Sequence, residues 1–152
     1  RDVFDAYNVE LANLVETVRE HSSSAGIIYA FAGGVSAAVK QTVEKLDSNR
    51  KIAIKTRMAD GVPACKAMIN DILAGHRDGN FFEGMGCVGG CVGGPKAINK
   101  KEEGKANVLA YSKQARYATP MENQYVIELL NKLGFNTIEE FLEKSDMYDR
   151  KF

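Results

Sequence analysis

The alternation of short apolar runs with amphipathic stretches constrains the fold of this chain more than any other feature. Runs rich in apolar residues predict three strands, at residues 25–32, 51–58 and 80–83. Between them, apolar side chains recur at helical spacing over 35–46 and 62–74, which predicts two helices. Successive strand–helix units favour a parallel sheet covered by helices. We therefore expect an α/β fold with a small, mainly parallel sheet of about three to four strands.

The final third of the chain predicts helices. Residues 119–122, TPME, form a capping box with Pro at the first helical position, and the helix they predict ends at Gly134. A second capping box, at 137–140, precedes a short last helix. The charged stretch 99–104 is interpreted as a loop. We expect the whole chain to form a single α/β lobe whose helical extension covers about 105–152.

Composition and charge exclude several classes of protein. The 152 residues suit one domain, and 20 basic against 20 acidic side chains argue against a nucleic-acid or anionic-membrane partner. No segment approaches the roughly 18 to 20 apolar residues of a membrane-spanning helix, and the polar first residues do not resemble a secretory signal. Three cysteines cannot form a fully paired disulfide framework, which favours a reducing, cytoplasmic location. The start at Arg1 suggests a processed or excised piece.

The chemistry of the chain is concentrated in residues 81–95, FFEGMGCVGGCVGGP, which hold six glycines and two of the three cysteines. The segment follows the third predicted strand, at the sheet edge where open α/β folds bind ligands. Cys87 and Cys91 are four residues apart, so both thiols could face one object. Glycines let backbone approach that object closely and donate N–H groups to it. A metal or iron–sulfur ligand loop is the interpretation that fits best.

Four other interpretations stay open on the residues alone. A zinc site needs further ligands, and the candidates are scattered over predicted loops and helices: His21, His76 and Cys65. A redox-active cysteine pair normally has two intervening residues, not three. Gly84, Gly86 and Gly89 match a dinucleotide-binding GxGxxG, although they follow the third strand rather than the first. A tight glycine turn with two incidental cysteines is the structural alternative.

Residues 83–95 resemble the third cluster-binding motif of the iron-only (FeFe) hydrogenases, typically E-x-M-A-C-P-G-G-C-x-x-G-G. The positions in register are Glu83, Met85, Cys87, Gly89, Gly90, Cys91 and Gly94. Residues 30–39, AFAGGVSAAV, are similar to the G-x-T-G-G-V-x-E-A segment that lies beside the active-site cluster in that family. The resemblance covers roughly 24–100 and more loosely the helical remainder. Val88 stands where the family usually has Pro, and the shorter glycine run also indicates a divergent branch.

The resemblance implies a role for each matched residue. The family interconverts dihydrogen with protons and electrons at a six-iron H-cluster, a 4Fe-4S cubane joined through a cysteine sulfur to a two-iron unit. By position, Cys87 would ligate the cubane only, and Cys91 would be the bridging thiolate. Met85 would pack near the two-iron unit, whose surroundings would also include Gly33, Gly34, Gly89 and Gly90. Cys65 has no counterpart among the cluster ligands and is interpreted as a core residue.

The family's other two cysteine motifs, which resemble TSCCPxW and MPCxxKxxE, are absent from this chain. Because a cubane needs four thiolates, the resemblance implies that the chain is the C-terminal lobe of a larger catalytic domain. The N-terminal lobe of the same polypeptide would supply the missing ligands, and a ferredoxin-like protein would exchange electrons. The lone chain would then be colourless and inactive. A cluster-free interaction or sensory domain and a small nucleotide-binding α/β domain are the alternatives.

Overall fold

The computed structural model describes residues 2–15, 21–47, 49, 51–147 and 150. Its α-helices and strands, in chain order, are α1 (Asp2–Ala6), α2 (Ser24–Ile27), α3 (Gly34–Leu46), β1 (Thr56–Asp60), α4 (Val62–Leu73), β2 (Phe81–Met85), α5 (Lys101–Ser112), α6 (Gln124–Lys132) and α7 (Ile138–Lys144). Single 3-10 turns lie at Leu11–Asn13, Ile28–Ala30, Cys91–Gly93 and Pro120–Glu122. The expected α/β class with a helical C-terminal third is confirmed.

The sheet consists of β1 and β2, which run parallel with Thr56 opposite Phe81 and Asp60 opposite Met85. Among the described residues it is two-stranded, smaller than the three to four strands expected from the sequence. Helix α4 crosses from one strand to the next, and Gly61 N–H donates to Met85 O at 2.9 Å where the crossover begins. The predicted helices at 35–46 and 62–74 are confirmed as α3 and α4.

The predicted strand at 25–32 is wrong, because this segment forms α2 and the following 3-10 turn. Ser23 caps α2, its Oγ accepting from Gly26 N–H at 3.1 Å. Its neighbours donate their backbone N–H groups to the segment before Pro120: Ser24 to Tyr117 O at 2.8 Å and Ala25 to Ala118 O at 2.9 Å. An aperiodic apolar run is compatible with a buried strand or a buried helix, and here it is a helix that packs against α3 and α5, with Ala25 and Phe31 buried.

Two further boundaries differ from those predicted. Strand β1 covers Thr56–Asp60 instead of 51–58, since Asn80, which precedes β2, ends the pairing by accepting from Lys55 N–H at 2.8 Å. The loop predicted at 99–104 is wrong, because α5 begins at Lys101. Acidic side chains in its first turn, Glu102 and Glu103, suit the positive end of the helix dipole. The helical part therefore starts before residue 105.

The two predicted capping boxes have different outcomes. Residues 119–122 form the predicted box, in which Thr119 N–H donates to the Glu122 carboxylate at 3.2 Å, but the element that they begin is a 3-10 turn. Helix α6 is capped by Asn123, whose side chain accepts from Tyr125 N–H at 3.0 Å. Thr137 caps α7 as predicted, its hydroxyl accepting from Glu140 N–H at 3.0 Å. At the start of the chain, the apolar side chains of residues 2–20 recur close to helical spacing, which predicts a helix. The structure shows α1 and one 3-10 turn there, while residues 16–20 lie outside the described residues.

The core is small and lies where α2, α3, α4 and the sheet meet. Its buried apolar side chains are few: Ala25, Phe31, Ala38, Ala59, Met68 and Leu130.

On β1, Arg57 binds Asp71 of α4 at 2.5 Å, and this hydrogen bond is the main reason why the pKa of the guanidinium is raised. In the part of the chain that the structure describes, no helix is both long and apolar enough to cross a membrane.

Candidate functional site

The candidate site lies at the edge of the sheet where the carboxyl ends of β1 and β2 meet the beginning of α3. Asp60 and Met85 end the two strands side by side. Gly33 precedes α3 in a left-handed conformation (φ 89°) that favours glycine. The glycine segment 86–94 continues from β2 and folds back over this edge. The parallel register therefore brings together segments that are about fifty residues apart in sequence.

Glu83 joins the two segments that the sequence matched separately. Its side chain is buried (5% exposed) in the middle of β2. One carboxylate oxygen accepts from Gly33 N–H at 2.8 Å and the other from Ser36 N–H at 2.7 Å. These N–H groups belong to the first turn of α3, where an anion is favoured by the helix dipole. The carboxylate thus ties the start of α3 to the strand that leads into the cysteine segment.

The glycine segment contacts backbone directly. Ala32 N–H donates to Gly89 O at 3.1 Å. A Cβ built on Gly90 would lie 2.6 Å from Ala32 N, and Gly90 also has a positive φ of 83°. On the other side, Asp60 accepts from Gly89 N–H at 2.6 Å. Only glycine at position 90 allows this approach, so part of the glycine content serves close packing of the chain on itself.

The two cysteines lie on either side of this tied backbone. Cys87 is half-buried, Cys91 is exposed, and both thiols are free. Gly90 N–H donates to Cys87 O at 3.0 Å, and Gly94 N–H donates to Cys91 O at 3.1 Å. Within the described residues, the N–H groups of Cys87 and Cys91 and of the valines that follow them have no protein acceptor. Along the loop, cysteines and valines with unpaired N–H groups therefore alternate with glycines whose N–H groups donate within the chain.

Helix α5 covers the outer side of the loop. The stem of Lys101 lies against Gly89 and Gly93, where built Cβ atoms would be 3.1 Å and 3.3 Å from it. Gly104 leaves room for Val92 in the same way, at 3.1 Å. Lys105 places its ammonium 4.8 Å from the ring centroid of Phe31. The helical part of the chain is thus packed against the cysteine loop.

The remaining predicted site residues lie elsewhere. Cys65, on α4, has its sulfur 3.3 Å from Met85 O and 3.6 Å from Ala59 O, at the ends of both strands. His21 stacks on Tyr125 at 3.6 Å between ring centroids. His76 is exposed just after α4. The described residues contain no group of three or more His, Cys, Asp or Glu side chains placed to hold a metal ion. Among the residues that the structure describes, no further ligands for a zinc site lie together.

In the described residues, the segment after β2 lacks the arrangement of a dinucleotide-binding fingerprint. A dinucleotide fingerprint needs a helix directly after its strand. Here β2 is followed by the 3-10 turn Cys91–Gly93, and the next helix begins only at Lys101. A cavity of about 260 Å³ lies between α6 and α7, lined mainly by apolar side chains such as Ile127, Leu130 and Ile138, away from the cysteines.

Sequence reasoning did not assign roles to the two carboxylates of the site. Glu83 was matched as a motif position, but its two acceptor bonds depend on contacts 47 and 50 residues away. Asp60 carried only the weak signal of an Asp-Gly pair after a predicted strand, which indicated a turn. In the structure both carboxylates bind backbone N–H groups of the glycine segments.

Fold and site together define an α/β domain with a glycine-rich loop carrying two cysteines at the carboxyl edge of a parallel sheet. Residues 1–95 match the family model described as the iron-only hydrogenase large subunit, C-terminal domain. The match covers more than half of the chain and includes both glycine segments, so the chain belongs to this family. It ends at Pro95, directly after the cysteine loop, and residues 96–152 lie outside it. No match is found among curated proteins.

Proposed function

We propose that Cys87 and Cys91 supply two thiolate ligands to the H-cluster of an iron-only hydrogenase, within a larger catalytic domain. The carrying observation is the pattern of backbone donors around the two thiols. The amides at both cysteines and at Val88 and Val92 are unused by described protein acceptors, whereas Gly89 and Gly90 donate within the chain. Free N–H groups beside thiolates are the donors that an iron–sulfur cluster uses for its sulfides.

The donor set fits one part of a four-thiolate cluster. Soft thiolates suit iron–sulfur chemistry. Cys87 is half-buried and Cys91 is exposed, and one loop carries both thiols. Two thiolates are half of the four that a cubane requires. In this proposal the N-terminal lobe of the same polypeptide provides the other ligands. Cys87 would hold the cubane, and Cys91 would be the second thiolate ligand, at the part of the H-cluster next to the two-iron unit. The bound H-cluster supplies the reversible exchange of electrons and protons with dihydrogen.

The other residues of the site shape its surroundings. Met85 is half-buried at the end of β2, next to the loop that carries both thiols. Gly33 and Gly34 offer close backbone, but their N–H groups are already used by Glu83 and by Phe31 O. A Cβ built on Gly33 would meet only Met58, at 3.8 Å, so Gly33 can contribute a surface without a side chain, which agrees with a role in admitting a bulky group close to the chain. A Cβ built on Gly34 would clash with the backbone of Ile28, so Gly34 serves the packing of the chain on itself.

An apolar patch borders the loop and is proposed to face the N-terminal lobe. It comprises Met58, Val62 and Val88, each between 45% and 55% exposed. A Cβ built on Gly61 would lie 3.0 Å from Val88, and one built on Gly33 would lie 3.8 Å from Met58, so the patch continues over the glycines. Burial of this patch by the second lobe would exclude water from the thiols. The proposal also includes a cytoplasmic setting and a ferredoxin-like electron partner.

The cysteine assignment is tested in the full-length hydrogenase, isolated anaerobically and assayed for bound iron and hydrogen turnover. Cys87→Ala and Cys91→Ala are expected to lose most bound iron and all activity. Cys65→Ala is the matched control, since its thiol contacts only backbone carbonyls at the strand ends in the described structure. Full iron content in either loop variant would overturn the assignment.

The division between lobes is tested with the 152-residue chain alone. We expect the purified chain to be colourless and without hydrogenase activity, because it offers only two ligands in the loop. Stoichiometric iron with the visible absorption of an iron–sulfur cluster would contradict this. A thermal-shift screen with nucleotides distinguishes the nucleotide-binding alternative from the hydrogenase interpretation. If the chain binds a nucleotide, that nucleotide raises its melting temperature, whereas the hydrogenase interpretation predicts no such rise.

A further inference from the structure

Asp60 is placed to act on the cysteine loop from the neighbouring strand. It is the last residue of β1, half-buried, and its Oδ2 accepts from Gly89 N–H at 2.6 Å. At 2.6 Å this is a short hydrogen bond for a backbone N–H and an oxygen acceptor. No lysine or arginine in the described ranges forms an ion pair with Asp60. Its recorded partner is therefore the loop backbone and not a neighbouring charge.

Gly89 is the midpoint between the two thiols, two residues from each. It has a φ of 88°, so its backbone turns in a way that side chains other than glycine resist. Its N–H is bound by Asp60 and its C=O by Ala32 N–H at 3.1 Å. The backbone at this residue is thus held from both sides. Since both cysteines continue from this point, its orientation sets where each thiol begins.

We propose that Asp60 is a positioning residue for the ligand pair, which sets the relative placement of the Cys87 and Cys91 thiols by holding the Gly89 amide. The inference rests on the proposed function of the two cysteines. It extends that function by assigning to β1 a residue that neither the motif nor the family match identifies. The group that matters is an oxygen acceptor at the end of a short side chain, and its negative charge is secondary.

Three substitutions of Asp60 test separately the acceptor oxygen, its negative charge and the length of the side chain. Asp60→Asn keeps an acceptor oxygen at the same distance and removes the charge. Asp60→Ala removes both. Asp60→Glu keeps the charge and displaces the acceptor by one methylene, and it serves as the second variant if the alanine variant does not fold. Asp47→Ala is the matched control, because Asp47 also accepts from a backbone amide, Asn49 N–H at 3.2 Å, but is exposed at the end of α3.

The first measurement is hydrogen exchange of the Gly89 amide by NMR in the 152-residue chain. Loss of the bond is expected to accelerate exchange about tenfold in Asp60→Ala. The second is the ratio of the N-ethylmaleimide modification rates of Cys87 and Cys91, measured by mass spectrometry. We expect this ratio to change by about threefold or more in Asp60→Ala and Asp60→Glu, with Asp60→Asn and Asp47→Ala close to the parent chain.

Three results would overturn the proposal. These are unchanged exchange in both Asp60→Ala and Asp60→Glu, an Asp60→Asn variant that behaves like Asp60→Ala, and faster exchange at Gly89 without any change in the thiol ratio. Neither measurement involves bound iron. Failure of the proposed function would appear separately, as full iron content in the Cys87→Ala or Cys91→Ala full-length protein, while the exchange and modification results for Asp60 would still stand.

Discussion

The cysteine-loop region, residues 31–36 with 83–94, and the helical region, residues 101–144, are held together in different ways. In the loop region, carboxylates and carbonyls bind backbone amides from distant parts of the chain, as Glu83 does with Gly33 and Ser36. In the helical region, side chains cap their own helices over three or four residues, as Thr137 does with Glu140. Contacts between distant parts of the chain thus shape the cysteine-loop region, whereas contacts between neighbouring residues stabilise the helices of the helical region.

The same residue type has different functions in the two regions. Gly90 and Gly134 both have a positive φ, 83° and 90°. A Cβ on Gly90 would meet the backbone of Ala32 at 2.6 Å, whereas a Cβ on Gly134 would meet nothing within 4 Å. Gly134 is therefore required by a turn alone, and Gly90 by a turn and by close packing. The comparison can be tested by substitutions in matched pairs, with the largest expected effect first.

Replacement of Gly90 by Ala is expected to give the largest effect. The steric conflict with Ala32 adds to the backbone strain, and we expect a loss of about 3–5 kcal/mol in the free energy of unfolding. Gly134→Ala, which meets only the strain, should cost about 1–2 kcal/mol. Gly86→Ala, with no positive φ and no atom within 4 Å of its Cβ, is the control. Urea denaturation measures the free energy of unfolding of each variant. Equal losses for Gly90→Ala and Gly134→Ala would contradict the claim that close packing adds to the requirement for glycine at position 90.

Replacement of Glu83 by Gln tests the buried carboxylate. The amide nitrogen of Gln cannot accept, so one of the N–H groups of Gly33 and Ser36 loses its partner, and we expect a cost of about 2–3 kcal/mol. Glu140→Gln in the helical region removes a carboxylate that also accepts from a backbone amide but is only half-buried, and its effect should be much smaller. A Glu83→Gln variant as stable as the parent chain in urea would show that the tie is dispensable.

Asn123 ties the helical region to the segment that precedes α2, and its replacement is expected to have an intermediate effect. It is buried (3% exposed), caps α6 through Tyr125 N–H, and donates to His21 O at 2.6 Å. Asn123→Ala should cost about 1–2 kcal/mol through loss of the cap and of the bond to His21. Asn131→Ala, at an exposed position of the same helix, is the control. Similar unfolding midpoints for the two variants would show that the hydrogen bonds of Asn123 to Tyr125 and His21 do not stabilise the fold.

The smallest expected effect is a pH dependence confined to α7. The N–H of Asn136, followed by Lys144, lowers the pKa of the Glu140 carboxyl below its ordinary value of 4.5. The stability from this ionised group is complete above pH 4.5 and is lost as the pH falls through the lowered pKa. The protection of the α7 amides against exchange, each rate divided by its intrinsic rate at the same pH and followed by NMR between pH 6 and 3, should fall at the acid end, and Glu140→Gln should remove that fall. Protection that does not change with pH in the parent chain would contradict this.

Much of the helical architecture could be predicted because it depends on local patterns. The apolar spacing of α3 and α4 and the cap at Thr137 need only neighbouring residues, and these predictions are confirmed. The segment 25–32 was mispredicted because its apolar residues show no period, and its helical state depends on pairing with Tyr117 and Ala118. The cysteine motif was readable because a dense cluster of cysteine and glycine is rare in ordinary loops.

The sequence by itself determined the family, the α/β class and the two cysteines of the candidate ligand loop. It carried this information in residue types at short, fixed spacings, which need no knowledge of distant partners. Only the tertiary structure decided that Glu83 binds the start of α3 and that Asp60 holds Gly89. A carboxylate can accept from any amide that folding brings near it, so its partner follows from the register of the strands and the path of the chain.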